Sequence, residues 1–172
     1  DVTVILGGDH FAQVAGYLQD GSRYGLNLNY VYQAEPKGIA HAINLCKRFV
    51  YDDSDFSVIL GDNVYENEIH WNNPNWKTNP RAQIVLSDHP ELNRFGVCSF
   101  DQSNKIKKIE EKPKVLDSSL TNLAITGCYL FTPQYFEYFK ELIPSARGEY
   151  EITDIIRKYH QDNNLSWTKI DG

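Results

Sequence analysis

The sequence of 172 residues has no methionine and only three cysteines, and both shortages limit what the protein can be. Cys46, Cys98 and Cys128 are widely spaced, and the sequence contains no C-x-x-C pair and no Cys/His ligand cluster. This pattern argues against a zinc site or a disulfide framework. It predicts three free, buried thiols in a protein of the reducing cytoplasm.

Long apolar stretches and an excess of positive charge are also missing. No run approaches the roughly 18 residues of a membrane helix, and no signal peptide is visible. The 17 lysines and arginines are outnumbered by 23 acidic residues, which gives a net charge of -6. We therefore expect neither a membrane nor a nucleic-acid polymer as a partner, although local basic residues could hold a small phosphate.

The chain starts at Asp1, and this start together with the lack of methionine leads us to expect a piece of a longer protein. A mature chain that lost only its start is the alternative. The length suits one domain, and we find no internal repeat and no second domain. The hydrophobic content of 41% is typical of a globular protein.

The spacing of apolar residues predicts an alternation of strands and helices. Residues 2–6, 26–32 and 56–60 are predicted strands, with helical spacing between them. This order indicates an α/β fold with a Rossmann-like, mixed but mainly parallel sheet flanked by helices. Residues 56–60 form an unbroken apolar-leaning run, which predicts a central strand covered on both faces. The polar stretch 66–80, with Trp71 and Trp76, predicts a long surface connection or an interface.

Four polar features fall at the predicted ends of strands, where open α/β sheets bind ligands. Each alone is also explained by a turn, a helix cap or a solvated charged loop. No G-x-G-x-x-G follows a strand, which argues against a Rossmann dehydrogenase. The features are Gly7-Gly8, Gln33 to Gly38, Gly61-Asp62-Asn63 and Glu110 to Pro113.

A particular family is indicated only by the combination of eight short segments that follow one another in a fixed order. They are residues 7–10 (GGDH), 20–25 (DGSRYG), 32–40 (YQAEPKGIA), 58–63 (VILGDN), 94–97 (RFGV), 109–113 (IEEKP), 126–129 (TGCY) and 146–154 (ARGEYEITD). Together they resemble the sugar-1-phosphate nucleotidyltransferases, and most closely the glucose-1-phosphate thymidylyltransferases. The resemblance covers nearly the whole chain and implies that 1–172 is a single, partial core domain of that fold.

The resemblance implies a reaction, a cofactor and a set of substrates. A nucleoside triphosphate, with dTTP the best match, would join a hexose-1-phosphate such as glucose-1-phosphate to give a nucleotide sugar and pyrophosphate. An oxygen of the sugar phosphate would attack the α-phosphorus directly, with no covalent enzyme intermediate, and Mg²⁺ would take part. The parent enzyme would be a homo-oligomer that supplies nucleotide sugars for polysaccharide biosynthesis.

Roles carry over only to residues that match the family pattern, and Asp62, Lys112 and Arg147 form the implied catalytic group. Positive charge is needed there because two phosphorylated anions repel one another. The full set is Gln33 and Gly38 at the nucleotide base, Asp62 at Mg²⁺, Gly96, Glu111 and Tyr129 at the sugar, and Lys112 and Arg147 at the phosphates.

The sequence also departs from the family pattern. Nothing in it matches the glycine-rich loop with an Arg and a Lys that cradles the triphosphate, and the second metal carboxylate would follow Gly172. We therefore expect residues 1–172 alone to be inactive. Lys37 replaces a frequent acidic residue and 88–94 is longer than usual, so uridylyl, guanylyl or adenylyl transfer, or another hexose, stays open.

A non-catalytic sugar-nucleotide-binding or assembly module of the same fold is the alternative function. The presence of Asp62, Glu111, Lys112 and Arg147 together argues against it, because a pure binder needs no metal carboxylate.

Overall fold

A computed structural model describes residues 1–51, 54–71 and 81–170. This part of the chain forms strands and helices joined by short 3-10 turns, and it confirms the expected mixed α/β class. The strands are β1 (Val2–Gly7), β2 (Leu28–Gln33), β3 (Phe56–Ile59), β4 (Ala82–Ser87), β5 (Gly96–Phe100), β6 (Ile106–Glu111), β7 (Thr121–Phe131) and β8 (Leu165–Ile170). The helices are α1 (Phe11–Leu18), α2 (Ile39–Asn44), α3 (Gln134–Lys140) and α4 (Ile152–Gln161).

The strands are arranged in two sheets. β1 and β2 form a parallel pair, and the larger sheet has the order β6-β5-β7-β4-β8, with β3 also paired to β7. In the larger sheet β3, β4, β5 and β8 run in one direction, whereas β6 and β7 run against them. The sheet is therefore mixed, as expected, but among the described residues it is not mainly parallel. Most of its neighbouring pairs are antiparallel, because β7 lies in the middle and runs against its three partners.

The long strand β7 shares one of its edges between two partners. β4 pairs with residues 124–131 along one edge, while β5 pairs with 121–124 and β3 with 128–131 on the other. The carboxyl end of β3 and the amino end of β5 thus meet opposite residues 125–127. This break in the pairing opens a cleft in the sheet, and the candidate site is built around it.

The expectation that residues 56–60 form a central strand covered on both faces was wrong. Phe56 and Val58 are half-buried, whereas Ser57 and Ile59 are exposed, and the exposed fraction of Ile59 is 61%. Within the described residues β3 pairs only with β7. An apolar run shows that both faces of a strand can be buried, but it does not specify which elements of the fold bury them.

Aromatic side chains on β7, α3 and α4 fill the core. The ring of Phe131 lies 5.7 Å from that of Tyr129 and 5.6 Å from that of Tyr159. The hydroxyl of Tyr135 donates to the carbonyl oxygen of Ala40 at 2.9 Å, which ties α3 to α2. In α4 the residues that face the core recur at helical spacing, as an amphipathic helix requires: Ile152, Ile155, Ile156 and Tyr159.

The three thiols are free and buried, as predicted. Burial raises the pKa of Cys46 and Cys128 to about 11 and that of Cys98 to about 12. They are therefore inert apolar residues rather than thiolate nucleophiles.

Two other expectations concern membranes and the polar stretch 66–80. None of the helices in residues 1–51, 54–71 and 81–170 has the length and apolar character that crossing a bilayer requires. Residues 66–71 form neither helix nor strand, as expected for a connection, and Trp76 lies outside the described residues.

Candidate active site

Glu111 and Gly96 lie opposite each other in the β5–β6 ladder, at the rim of the cleft. The hydroxyl of Thr153, a fully buried residue in α4, donates to Glu111 Oε2 at 3.0 Å. A Cβ at position 96 would come within 2.4 Å of Thr153 Cγ2. Gly96 is therefore needed so that Thr153 can reach Glu111. The contact between Gly96 and a sugar stays a prediction.

Arg147 joins this carboxylate from the loop before α4. Its Nη2 atom lies 2.9 and 3.0 Å from the two carboxylate oxygens of Glu151, 3.3 Å from Glu149 and 3.5 Å from Glu111. Lys112 follows Glu111 directly, with Nζ 3.7 Å from Glu111 Oε1. The structure thus brings together three of the predicted residues, Glu111, Lys112 and Arg147, although they come from distant parts of the sequence.

The charges of this cluster do not cancel. Three carboxylates, of Glu111, Glu149 and Glu151, surround the two cations Lys112 and Arg147. Burial raises the pKa of Glu111 above its ordinary value, while the hydrogen bond from Thr153 works in the opposite direction. The hydrogen bond to Glu151 raises the pKa of Arg147, so its guanidinium is held firmly in the charged form.

Asn63 joins the end of β3 to the middle of β7. Its Oδ1 accepts from the backbone N–H of Gly127 at 2.9 Å and from the hydroxyl of Tyr65 at 3.2 Å. Because these partners donate, the other end of the amide is its nitrogen, which donates to Asp62 Oδ1 at 2.7 Å. Asn63 therefore fixes one oxygen of the exposed Asp62 carboxylate and leaves Oδ2 available to a ligand.

Gly127 leaves room for Asn63. A Cβ at position 127 would come within 2.7–2.8 Å of the three atoms of the Asn63 amide group.

We expect Gly127→Ala to lower the free energy of unfolding by about 1–3 kcal/mol, measured by urea denaturation, because the added methyl group would overpack the contact between residue 127 and Asn63. Gly16→Ala is the control, since that helical position has open space and alanine should there be neutral or stabilising by up to about 1 kcal/mol. Equal stability of the two variants would show that Asn63 moves away freely.

Gln33 and Gly38 form a separate part of the site, at the end of β2 and the start of α2. Gln33 Nε2 donates to the carbonyl oxygen of Gly38 at 3.3 Å. Gly38 has a φ of 91°, and a Cβ there would come within 2.6 Å of the carbonyl oxygen of Tyr150. The backbone N–H of Tyr150 donates to the carbonyl oxygen of Lys37 at 2.8 Å. The predicted base-binding loop is thereby packed against the segment that carries Arg147 and Glu151.

Tyr129 lies in the core of the protein and not on the surface of an open pocket. It is 3% exposed, and its ring stacks on Phe131 in the core. Burial raises the pKa of Tyr129 above its ordinary value, and Tyr65 and Glu111 add to this shift. Its predicted contact with the sugar stays a prediction.

A cavity of about 200 Å³ opens in the cleft. It lies between the end of β3 and the loop before β5. There the rings of His89 and Phe95 are 4.5 Å apart. The lining includes Asn63, Tyr65, His89, Phe95, Ala124 and Thr126.

Three residues that the sequence reading gave no role belong to this site. Asn63 orients Asp62, Thr153 orients Glu111, and Glu151 holds Arg147. All three lie within the segments that carry the family resemblance, and this was the only signal in the sequence. The contacts of Thr153 with Glu111 and of Asn63 with Gly127 cross long stretches of chain, which spacing does not reveal. Asn63 is adjacent to Asp62, and Glu151 follows Arg147 by four residues.

Asp62 is the one predicted metal ligand in the chain. Among the described residues no three His, Cys, Asp or Glu side chains come together as a ready metal site. A single carboxylate with one free oxygen nevertheless fits Mg²⁺, which usually takes one or two carboxylates together with phosphate oxygens and waters.

Comparison with known proteins finds similar sequences along nearly the whole chain. The family model for nucleotidyl transferases matches residues 1–171. The low-salt glycan biosynthesis nucleotidyltransferase of Haloferax volcanii is 36% identical over 94% of this chain and 44% of its own length. The glucose-1-phosphate thymidylyltransferase of Streptomyces griseus is 35% identical over 91% of this chain and 43% of its own. The chain thus spans less than half the length of these two relatives.

A solved structure shows the same fold. A Bacillus anthracis protein provisionally assigned as a glucose-1-phosphate thymidylyltransferase, in complex with sucrose, superposes with a TM-score of 0.83. Its sequence is 36% identical, and the match covers 99% of this chain and 68% of that one. Together, the match along nearly the whole chain and the shared fold show that the chain belongs to the sugar-1-phosphate nucleotidyltransferase family.

Proposed function

We propose that the protein joins a nucleoside triphosphate to a hexose-1-phosphate and releases pyrophosphate, with dTTP and glucose-1-phosphate as its substrates. The observation that carries this proposal is the cluster of Glu111, Lys112 and Arg147 beside the cleft. A carboxylate that accepts from hydroxyls and two cations that attract phosphate suit a phosphorylated sugar.

The geometry of Arg147 supports a role in phosphate binding. Its contacts with Glu111, Glu149 and Glu151 all use Nη2. Within the described residues no hydrogen bond uses Nη1 or Nε of Arg147. These atoms carry the remaining N–H donors of the guanidinium. Glu151 therefore anchors one corner of the group and leaves the other side for an incoming phosphate.

The charge of the cluster supports the participation of a divalent cation. Three carboxylates against two cations leave one negative charge in excess if all are ionised, so Lys112 and Arg147 alone do not offset the charge of two phosphorylated substrates. Asp62 would hold Mg²⁺ through its free oxygen. When bound, the ion would neutralise phosphate charge and stabilise the charge that develops during transfer.

The choice of dTTP and glucose-1-phosphate is the finer part of the proposal. Among the similar proteins, that of Streptomyces griseus is named a glucose-1-phosphate thymidylyltransferase. A second protein of Haloferax volcanii is named a UTP–glucose-1-phosphate uridylyltransferase, with 32% identity over 91% of this chain and 66% of its own. Both names agree on the sugar phosphate and on a pyrimidine base with an N3–H group.

The test is pyrophosphate release by the complete gene product with glucose-1-phosphate, Mg²⁺ and a panel of nucleoside triphosphates. We expect turnover with dTTP, a lower kcat/KM with the other nucleotides, and loss of activity when EDTA removes the metal. Residues 1–172 assayed alone should release no pyrophosphate.

The contrary results are distinct. Binding of dTDP-glucose by the complete gene product without any pyrophosphate release would identify a binding module instead of a transferase. Turnover with another nucleotide but not with dTTP would correct only the base. Robust turnover by residues 1–172 alone would overturn the expectation that they need further chain.

A further inference from the structure

The amide of Gln33 is held in one orientation by two acceptors. Its Nε2 lies 3.1 Å from Nδ1 of His41 and 3.3 Å from the carbonyl oxygen of Gly38. A carbonyl oxygen only accepts hydrogen bonds, so the amide atom beside it is the nitrogen. Both hydrogens of the amide are then donated within the protein. The group left for a ligand is Oε1, which only accepts.

His41 makes the shorter of these two contacts and is itself fixed in place. It lies in α2, and its ring stacks on that of Tyr150 at 6.2 Å between centroids and 23° between planes. Because Nδ1 accepts from Gln33, the neutral ring carries its proton on Nε2. Rotation of the Gln33 amide would set its oxygen against the acceptor Nδ1, which costs a hydrogen bond and adds repulsion.

We infer that His41 is a positioning residue that holds Gln33 Oε1 toward the nucleotide base and thereby selects bases that donate an N–H there. The inference rests on the proposed function, in which Gln33 contacts the base. Thymine and uracil carry a hydrogen on N3 and so donate to this oxygen. Cytosine has a lone pair on N3, which would meet the oxygen unfavourably. His41 thus makes the site selective for dTTP or UTP over cytosine nucleotides.

The test compares His41→Phe with His41→Asn in the complete gene product, using dTTP and dCTP at saturating glucose-1-phosphate. Phenylalanine keeps a ring against Tyr150 but removes the acceptor. Asparagine places an oxygen close to the position of Nδ1. We expect His41→Phe to lower the ratio of kcat/KM for dTTP over dCTP by about tenfold, the value of one hydrogen bond, through KM rather than kcat. His41→Asn should retain most of the ratio.

A pH series provides a second measurement on the unmodified protein. The groups facing His41 are Tyr150 and the ion pair of Glu35 with Lys37, whose charged atoms are 2.8 Å apart. Burial lowers the pKa of His41, with Lys37 adding to the shift and Glu35 opposing it. Protonation at acidic pH converts Nδ1 into a donor and releases the amide. The preference for dTTP over dCTP should therefore fall at acidic pH, and His41→Asn should lack this fall.

Controls separate the possible failures. His160→Phe, a change at the end of α4 away from this loop, should leave both the ratio and its pH dependence unchanged. An unaltered ratio in His41→Phe, or a ratio independent of pH in the unmodified protein, overturns the role of His41. Absence of turnover with every nucleotide in the unmodified protein overturns the proposed function instead. If His41→Phe does not fold, the pH series still decides.

Discussion

Replacing Asp62 with asparagine should lower kcat for pyrophosphate release by about 10²- to 10³-fold and leave the fold intact. Asparagine keeps an oxygen that can accept from Asn63 Nδ2, which lies 2.7 Å from Asp62 Oδ1. The negative charge that would hold Mg²⁺ is lost. Since Asp62 is exposed, neither burial nor the core changes. The measurement is kcat at saturating substrates, together with the free energy of unfolding.

Binding of Mn²⁺, followed by its electron paramagnetic resonance, gives a readout that does not depend on turnover. In the presence of dTTP the affinity for Mn²⁺ should fall in Asp62→Asn. Glu66→Gln, which removes an exposed carboxylate four residues later, is the matched control and should change neither kcat nor Mn²⁺ affinity. Full activity of Asp62→Asn at ordinary metal concentrations would remove Asp62 from the proposed metal site.

The local elements of this fold could be predicted from the sequence, but their pairing could not. The spacing of apolar residues located β1, β2 and β3, because such spacing is a property of a few neighbouring residues. The sharing of one β7 edge by β3 and β5 depends on contacts between residues far apart in the chain. The expectation that β3 is covered on both faces failed for the same reason.

The candidate site divides along the same line. Resemblance selected Glu111, Lys112 and Arg147, and the structure brings them together. The resemblance did not show that Gly96 makes room for Thr153, or that Gly127 makes room for Asn63. Both facts come from the structure. In a sequence, a glycine shows only that a side chain is missing. The side chain that occupies the space becomes visible only when the fold is known.

Under the proposed function, the carboxylate of Glu111 binds the sugar at some cost to the stability of the fold. Burial raises the pKa of Glu111, so the folded state holds a proton on this group more tightly than the unfolded state does. The destabilising effect of burying the charge is fully present above that raised pKa. It is relieved as the pH falls through the raised pKa toward the ordinary carboxyl range.

We therefore expect Glu111→Gln to raise KM for glucose-1-phosphate by about 10- to 100-fold, because hydroxyls lose a charged acceptor worth about 1.5–3 kcal/mol. KM for dTTP should stay close to that of the unmodified protein. Stability at neutral pH should be no lower than before, since a neutral amide needs less desolvation and still accepts from Thr153. Steady-state kinetics with each substrate in turn and urea denaturation at two pH values provide the measurements.

Glu110→Gln is the matched control for this substitution, because Glu110 is the neighbouring strand residue and its side chain points to the opposite face of the sheet. There it pairs with Lys108 at 2.7 Å, away from Arg147 and Thr153. It should leave both KM values unchanged. A Glu111→Gln variant that loses stability and uses both substrates equally poorly would mean that Glu111 is a structural partner of Arg147. A selective loss of glucose-1-phosphate binding in a stable protein would instead assign the carboxylate to the sugar. A buried charge that does not stabilise the fold, but is needed for the use of one substrate, is explained by contact with that substrate.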